Sequence, residues 1–451
     1  MHRIAHGLTR SEWVILLLAA PLLLFPNAWR TVAMLVVPVL WLARRLARGR
    51  FVDPTPLNAP LVLLMVGVLL SLYATFDMAY SLPKIAGMVL GLGAFFALVG
   101  AAAMPRAWMG AMTVFLVLGI GVAGLGLLGT QWIPKFALLQ PVLALLPARL
   151  TGLPGAAEGF HPNEVAGALL WVAPLGVTCA LAAIGNTPTI TRALGPGRAI
   201  GLLAACFLAA LVLVGVLFLT QSRGAWIAAA LIFPALVILY ARGRARLALA
   251  ILFGVVIVAG LVWFGIARPE SLRSLVLGPA EDPARGLSLE NLSVRVEIWS
   301  RAIYGIQDFS ITGMGMNTFR RVLPVLYPLF SIGPEADIGH AHNTFLQAGV
   351  DLGMPGLIAY LAIHISALAM MASLWRRMNE LPLPLALSRA AILGLGGGLA
   401  AHLLYGITDA VALGAKPGLL WWLLLALVAA LFRLLPVHVN IPAASGGPDS
   451  R

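Results

Sequence analysis

Apolar runs about as long as a hydrocarbon core is thick recur along the chain, separated by short polar turns, and such runs predict transmembrane helices. The first two, from Trp13 to Phe25 and from Trp29 to Leu46, meet at a tight Pro26-Asn27-Ala28 turn. Seven follow: Leu57 to Phe76, Ile85 to Met104, Trp108 to Gln131, Val165 to Ile184, Ile200 to Thr220, Ala225 to Tyr240 and Leu247 to Ala267. After a long polar segment come Pro355 to Trp375, Ala390 to Leu413 and Leu419 to Leu434. The pattern predicts an all-α integral membrane protein with about 12 transmembrane helices. Residues 1–267 hold spans one to nine, 268–354 one long segment outside the bilayer, 355–435 spans ten to twelve, and 436–451 a flexible tail.

Within the long segment the period changes. Leu292, Val294, Val296, Ile298 and Trp299, followed by Ala302, Ile303 and Ile306, predict an amphipathic helix on the membrane or over the spans. Ser293 is placed to cap it, and Glu297 and Arg301 to pair at i,i+4 on its polar face.

Composition agrees with a life in lipid: 61% of residues are hydrophobic, 10% are charged, and the mean hydropathy is +0.95. The net charge of +13 is spread over loops between spans, so topology accounts for it and a nucleic-acid partner is not expected. One alternate set of loops carries sixteen arginines, from Arg3 through Arg44, Arg242 and Arg376 to Arg433. The short loops of the other set hold only Arg30, Lys84, Lys135, Arg149, Arg223 and Lys416. The bias predicts that both termini are cytoplasmic. The first span follows Arg3 and Arg10 without a small-residue cleavage site, and reads as a retained anchor. Cys179 and Cys206 fall within spans and suggest neither a disulfide framework nor a zinc site.

With this topology the chemically suggestive residues all face outward. They are Glu158 to Glu164, which includes His161 and Asn163, the Gln221-Ser222-Arg223-Gly224 turn, and the segment that ends in Gly339-His340-Ala341-His342-Asn343-Thr344. The inner loops have no phosphate-binding glycine loop and no acidic pair suited to a nucleotide sugar. Arg223 sits in a tight connection between two apolar runs, where a guanidinium either snorkels to the interface or meets an anion. Gln221 and Ser222 add donors, and Gly224 admits close backbone approach, so an anion site is favoured. Arg295 is either a solvated charge or a second clamp. His342 suits a general base near neutral pH, especially if a helix from Asn343 sets its positive end beside the imidazole and favours the neutral form. His340 is placed to orient substrate. Asp409, near the outer end of span eleven, either orients the catalytic group or pairs with Lys416 or Lys84 to hold helices together. His364 and His402 lie inside spans and read as packing residues, as do the glycine series Gly119 to Gly129 and Gly394 to Gly398. No metal is expected; the nearest candidate would combine Glu335 and Asp337 with His340 and His342.

His342-Asn343 followed nine residues later by Gly353-Met354-Pro355-Gly356 resembles the signature of the O-antigen ligase and polymerase superfamily of bacterial envelope enzymes. Phe160-His161-Pro162-Asn163, Ser222-Arg223-Gly224, the Arg295-to-Trp299 helix and Gly313-Met314-Gly315-Met316-Asn317-Thr318-Phe319 match it in the same order, from Glu158 to Asp409. The resemblance implies a membrane-embedded, GT-C-like glycosyltransferase that needs no cofactor. Its donor would be an undecaprenyl-diphosphate-linked glycan, used on the periplasmic face of the inner membrane. The ligase branch transfers to a lipid A-core oligosaccharide, the polymerase branch to a glycan repeat, and the protein O-oligosaccharyltransferase branch to a protein. The ligase branch is the expectation, in lipopolysaccharide biosynthesis, with Arg223 and Arg295 on the diphosphate, His342 as base, and His340, Asn343, His161, Asn163 and Asp409 in support. From a different class, an envelope-lipid transporter would share the spans and outward arginines but would leave the His342 motif unused.

Overall fold

Each predicted span folds as a helix, and proline sets several of the starts: Pro105, Pro162 and Pro196 each stand in the first turn, where a missing N–H costs nothing. The computed structural model describes residues 2–27, 29–132, 134–136, 139–146, 149–152, 156–157, 159–263, 266, 292–330 and 337–436. Its helices are α1 (His2–Arg10), α2 (Glu12–Leu24), α3 (Val36–Arg48), α4 (Asn58–Ala74), α5 (Met78–Ala101), α6 (Pro105–Gly129), α7 (Gln140–Leu143), α8 (Pro162–Gly185) and α9 (Thr187–Leu194). They continue with α10 (Pro196–Leu219), α11 (Arg223–Tyr240), α12 (Gly243–Val262), α13 (Leu292–Asp308), α14 (Phe319–Leu326), α15 (Thr344–Arg376), α16 (Leu385–Tyr405) and α17 (Leu419–Arg433).

The protein is an all-helical, multi-pass membrane protein. Among the described residues nine helices are long and apolar enough to cross a membrane, or ten if α1 and α2, bent by 66°, form one span. The remaining predicted spans fold as shorter helices. α2 and α3 have 13 residues each and α4 has 17. The tenth begins earlier than expected, at Thr344 rather than Pro355, and takes the end of the polar segment into a helix bent at Gly353.

α5, α8, α16 and α17 form the buried centre of the bundle, while α12 has no buried residue among those described and turns its sides to lipid. Between lipid-facing helices there is no hydrophobic gain, so close approach decides packing. The Gly394 to Gly398 run supplies it: a Cβ at Gly398 would sit 2.5 Å from the Trp171 carbonyl oxygen of α8. His364 accepts from Trp421 Nε1 at 3.3 Å, and His402 lies tilted against Trp171 with ring centroids 4.3 Å apart, as packing residues should. Cys179 and Cys206 are unpaired thiols.

The two loop sets go to opposite ends. At one, Arg44 donates to Glu12 and to the Phe96 carbonyl, Arg433 to the Val99 carbonyl, and Arg389 to the Leu239 carbonyl. At the other lie the starts of α5, α8, α11 and α15 and the ends of α6, α10 and α16. There Phe160 N–H donates to the Gly129 carbonyl and Thr344 N–H to the Gly406 carbonyl. α13 lies across this second end, its Val294, Ile298 and Ala302 buried with Met314, Phe319 and Ala341. The amphipathic helix therefore forms, and its Glu297 and Arg301 pair at 3.4 Å; the Ser293 side chain lies outside the described residues.

Candidate functional site

His342 takes its place from strain on one side and a helix start on the other. Its φ is +47°, a left-handed conformation unusual for a side chain of this size. Around it Trp299 Nε1 donates to the His342 carbonyl (3.4 Å), Ala341 N–H to Gln347 Oε1 (2.7 Å), and His342 N–H to His340 Nδ1 (3.2 Å). Asn343 then caps α15, its Oδ1 accepting from the N–H groups of Phe345 and Leu346 at 3.0 Å each. Its Nδ2 reaches the Ile407 carbonyl at 3.0 Å. The expected helix start beside the imidazole is thus present, and Asn343 also ties it to the segment after α16.

That segment brings Asp409. Its Oδ1 is 3.3 Å from His342 Nδ1 and 4.0 Å from His340 Nε2; its Oδ2 accepts from Asn163 Nδ2 at 2.7 Å and lies 3.8 Å from an Arg295 terminal nitrogen. A carboxylate accepts and does not donate, so His342 Nδ1 carries the hydrogen, and in the neutral imidazole the lone pair is then on Nε2. Burial by itself would raise the Asp409 pKa. The hydrogen bond from His342, the positive charge that His340 and His342 carry when protonated, and the guanidinium of Arg295 outweigh it and hold the carboxyl below its ordinary range. His340 is pushed down to about 3, first by burial and then by His342, so it stays neutral. Asp409 thus stands within hydrogen-bond distance of the histidine that one of its two readings has it orient.

Arg295 projects from α13 and donates to the Thr408 carbonyl as well. Arg223, half-buried, opens α11 at the same place, because Gly224 packs on Thr408; a Cβ there would lie 2.4 Å from Thr408 Oγ1. Gln221, just before it, is 2% exposed with φ +52°, and its Oε1 accepts from Lys135 N–H at 2.7 Å and Phe136 N–H at 3.2 Å. His161 stands at the start of α8, exposed, its Nδ1 accepting from Asn163 N–H at 3.3 Å. It serves as the cap that aims Asn163, rather than reaching Asp409 itself. Tyr405, missed in the sequence, donates to the Asn163 carbonyl at 2.7 Å; a tyrosine inside an apolar run gives no sign of that role.

The glycine motif proves to be scaffolding. Gly313 and Gly353 both have positive φ and press backbone to backbone, while Met314 N–H donates to the Val350 carbonyl and Met354 N–H to the Ser310 carbonyl, each at 2.7 Å. Asn317 joins this buttress to α5, with Nδ2 donating to the Tyr80 carbonyl at 2.9 Å and N–H to Asp351 at 3.2 Å. Of the metal candidate drawn from the sequence, Asp337 pairs with Arg320 at 2.7 Å, and Glu335, like Glu158, lies outside the described residues. His340, His342 and Asp409 do offer donor atoms within 4.8 Å of one another. Asn163 and Arg295 already address one oxygen of that carboxylate, which leaves two imidazoles and one oxygen as a possible cation set.

The arrangement can orient an imidazole, stabilise its charged form and present two guanidiniums to an anion. Residues 208–361, which contain Arg223, Arg295 and His342, match the family model described as O-Antigen ligase. No curated protein matches the chain.

Proposed function

We propose that this chain belongs to the O-antigen ligase superfamily, whose model its residues 208–361 match, and that it joins a polysaccharide carried on undecaprenyl diphosphate to a sugar hydroxyl of lipid A-core, at the periplasmic face of the inner membrane. The observation that carries the proposal is the meeting of His342, Asp409 and Arg295 beside Arg223 at one end of the bundle. The acceptor oxygen attacks the anomeric carbon, the bond to the diphosphate breaks, and the proton passes to His342 Nε2. Asp409 stabilises the imidazolium that forms, as a carboxylate behind a histidine base does in other transferases and hydrolases.

Arg223 and Arg295 stabilise the charge that grows on the departing diphosphate. A guanidinium has five N–H donors, so Arg295 can hold the Thr408 carbonyl, stand beside Asp409 and meet a phosphate oxygen together. Attack on the face opposite the diphosphate inverts the anomeric centre, and no second carboxylate stands beside His342 among the described residues to act as a nucleophile. The polymerase and protein-glycosylating branches would use the same machinery. Purified protein incubated with the lipid-linked glycan and, separately, with lipid A-core, a glycan repeat and a periplasmic protein decides among them: a product with lipid A-core alone is expected, and no product with any acceptor overturns the proposal.

A further inference from the structure

A cavity of about 340 Å³ lies at the site's end of the bundle, between the end of α6, the start of α8 and the turn before α11. The mechanism above uses none of its cationic side chains. Its volume falls near the lower end of the range of small-molecule pockets, about 300–1,000 Å³. Its walls combine Trp132 and Phe160 with Lys135, Arg149 and Gln131, and it reaches the buried Gln221. Arg149 donates to Gln131 Oε1 at 3.2 Å, and the loop bearing Lys135 is fastened by the N–H groups of Lys135 and Phe136, which donate to the Gln221 side chain two residues before Arg223. At its other edge His161 caps the helix whose Asn163 holds Asp409. The cavity therefore adjoins the reacting centre from both sides without containing Arg295 or His342.

We propose that this cavity binds an anionic sugar unit, one bearing a phosphate or carboxylate, next to the unit that reacts. Aromatic faces suit the C–H faces of a pyranose, Gln131 and Gln221 suit its hydroxyls, and an arginine with a lysine suits an anionic substituent. The inference rests on the transfer proposed above for its biological meaning, and the sugar's source is either the acceptor or the donor glycan.

The test has two arms. In the first, saturation-transfer NMR measures glucose 6-phosphate and glucose on purified protein in nanodiscs, with no transfer required. Glucose 6-phosphate should bind the wild type and Arg223→Ala alike, and Lys135→Ala/Arg149→Ala at least about tenfold more weakly, the loss expected from removing charge-assisted hydrogen bonds. Lys135→Gln/Arg149→Gln replaces that variant if it does not fold. Equal binding by the double variant, or a loss confined to Arg223→Ala, overturns the proposal. In the second arm, transfer kinetics compare native with dephosphorylated lipid A-core and a charged with a neutral donor glycan. A roughly tenfold rise in KM with kcat kept, tracking the charge of one substrate, supports the proposal and names the source; an unchanged KM for every substrate overturns it. Absence of transfer by any variant, with binding through Lys135 and Arg149 intact, would instead sink the ligase proposal and leave the sugar site standing.

Discussion

Asp409 takes a hydrogen bond from His342 on one oxygen and from Asn163 on the other, so substitutions at these residues separate orientation from proton transfer. His342→Ala should lower turnover by about 10²–10⁴-fold, the usual contribution of a positioned base, with donor binding retained; near-normal transfer, or a product that keeps the donor's anomeric configuration, ends the mechanism. Asp409→Asn keeps the shape but cannot stabilise an imidazolium, and should cost about 10²-fold or more while shifting the pH–rate profile; an unshifted profile would reduce Asp409 to a structural tie. Arg223→Ala and Arg295→Ala should each remove most transfer, and lysine should rescue poorly because a diphosphate favours forked donors. Chelator should leave the wild-type rate intact. Inhibition reversed by added cation would hand the His340, His342 and Asp409 cluster to a metal. His340 gives a stability prediction of definite sign. Unfolded, it binds a proton below its ordinary 6.5; folded, it does so only near 3. Stability is therefore full above pH 6.5 and falls between 6.5 and 3. Asp409, depressed, loses its contribution only as the pH falls below its unfolded 3.8, which overlaps the acid end of that range but not the interval from pH 7 to pH 5. Thermal midpoints at pH 7 and pH 5 should differ less in His340→Gln than in the wild type, and an equal difference in both would refute the assignment. The candidate residues were legible because their types are wrong for lipid. Their partners were not: Asn163 and Asp409 are 246 residues apart, and no local pattern joins them.

At the scale of elements, the spans and the amphipathic helix follow from apolar period, and their ends from proline and arginine. What the period does not contain is the bend in α15. An apolar run suggests a helix from Pro355, whereas capping by Asn343 starts it at Thr344, and Gly353, at φ +67°, breaks it so that one limb carries the site and the other crosses the bundle. A left-handed residue costs about 1–2 kcal/mol when it bears a Cβ. Here that Cβ would also stand 2.7 Å from the Ile311 carbonyl oxygen and carbon, which are backbone and cannot step aside. Gly353→Ala should thus lower the melting temperature and the yield of folded protein, with activity lost in proportion. Ile311 is on the surface at 64% exposure, so Ile311→Ala serves as the control that removes side chain without touching the bend. A Gly353→Ala protein as stable as that control would show that the bend is not held by this contact.

For the whole molecule, the question that governs every other is which compartment the site faces, because lipid-linked glycans and cytoplasmic nucleotide sugars are met on opposite sides. The charge pattern supplies the expectation, and the fold separates the two loop sets to opposite ends. Arginines of the richer loop set sit at one end, where Arg44, Arg389 and Arg433 bind helix-terminal carbonyls or buried acids. His342, Arg295, Arg223 and Asp409 gather at the other end. Short loops rich in arginine are retained in the cytoplasm as the helices insert. On the proposed reaction the first end is cytoplasmic and the second periplasmic. Reporter fusions after Arg50, Arg246 and Arg377 should accordingly report cytoplasm, and fusions between Pro279 and Ser288 should report periplasm. The two outcomes are coupled, since an even number of crossings between Arg246 and Arg377 would be needed to return the chain to the same side, and α12 and the long limb of α15 supply two. A cytoplasmic signal between Pro279 and Ser288 with the other three unchanged would mean that α12 does not cross. Reversal of all four would keep the fold and place the histidine, the arginines and the cavity where no undecaprenyl-linked polysaccharide awaits ligation, which would dismiss the proposed reaction without disturbing any distance in the site.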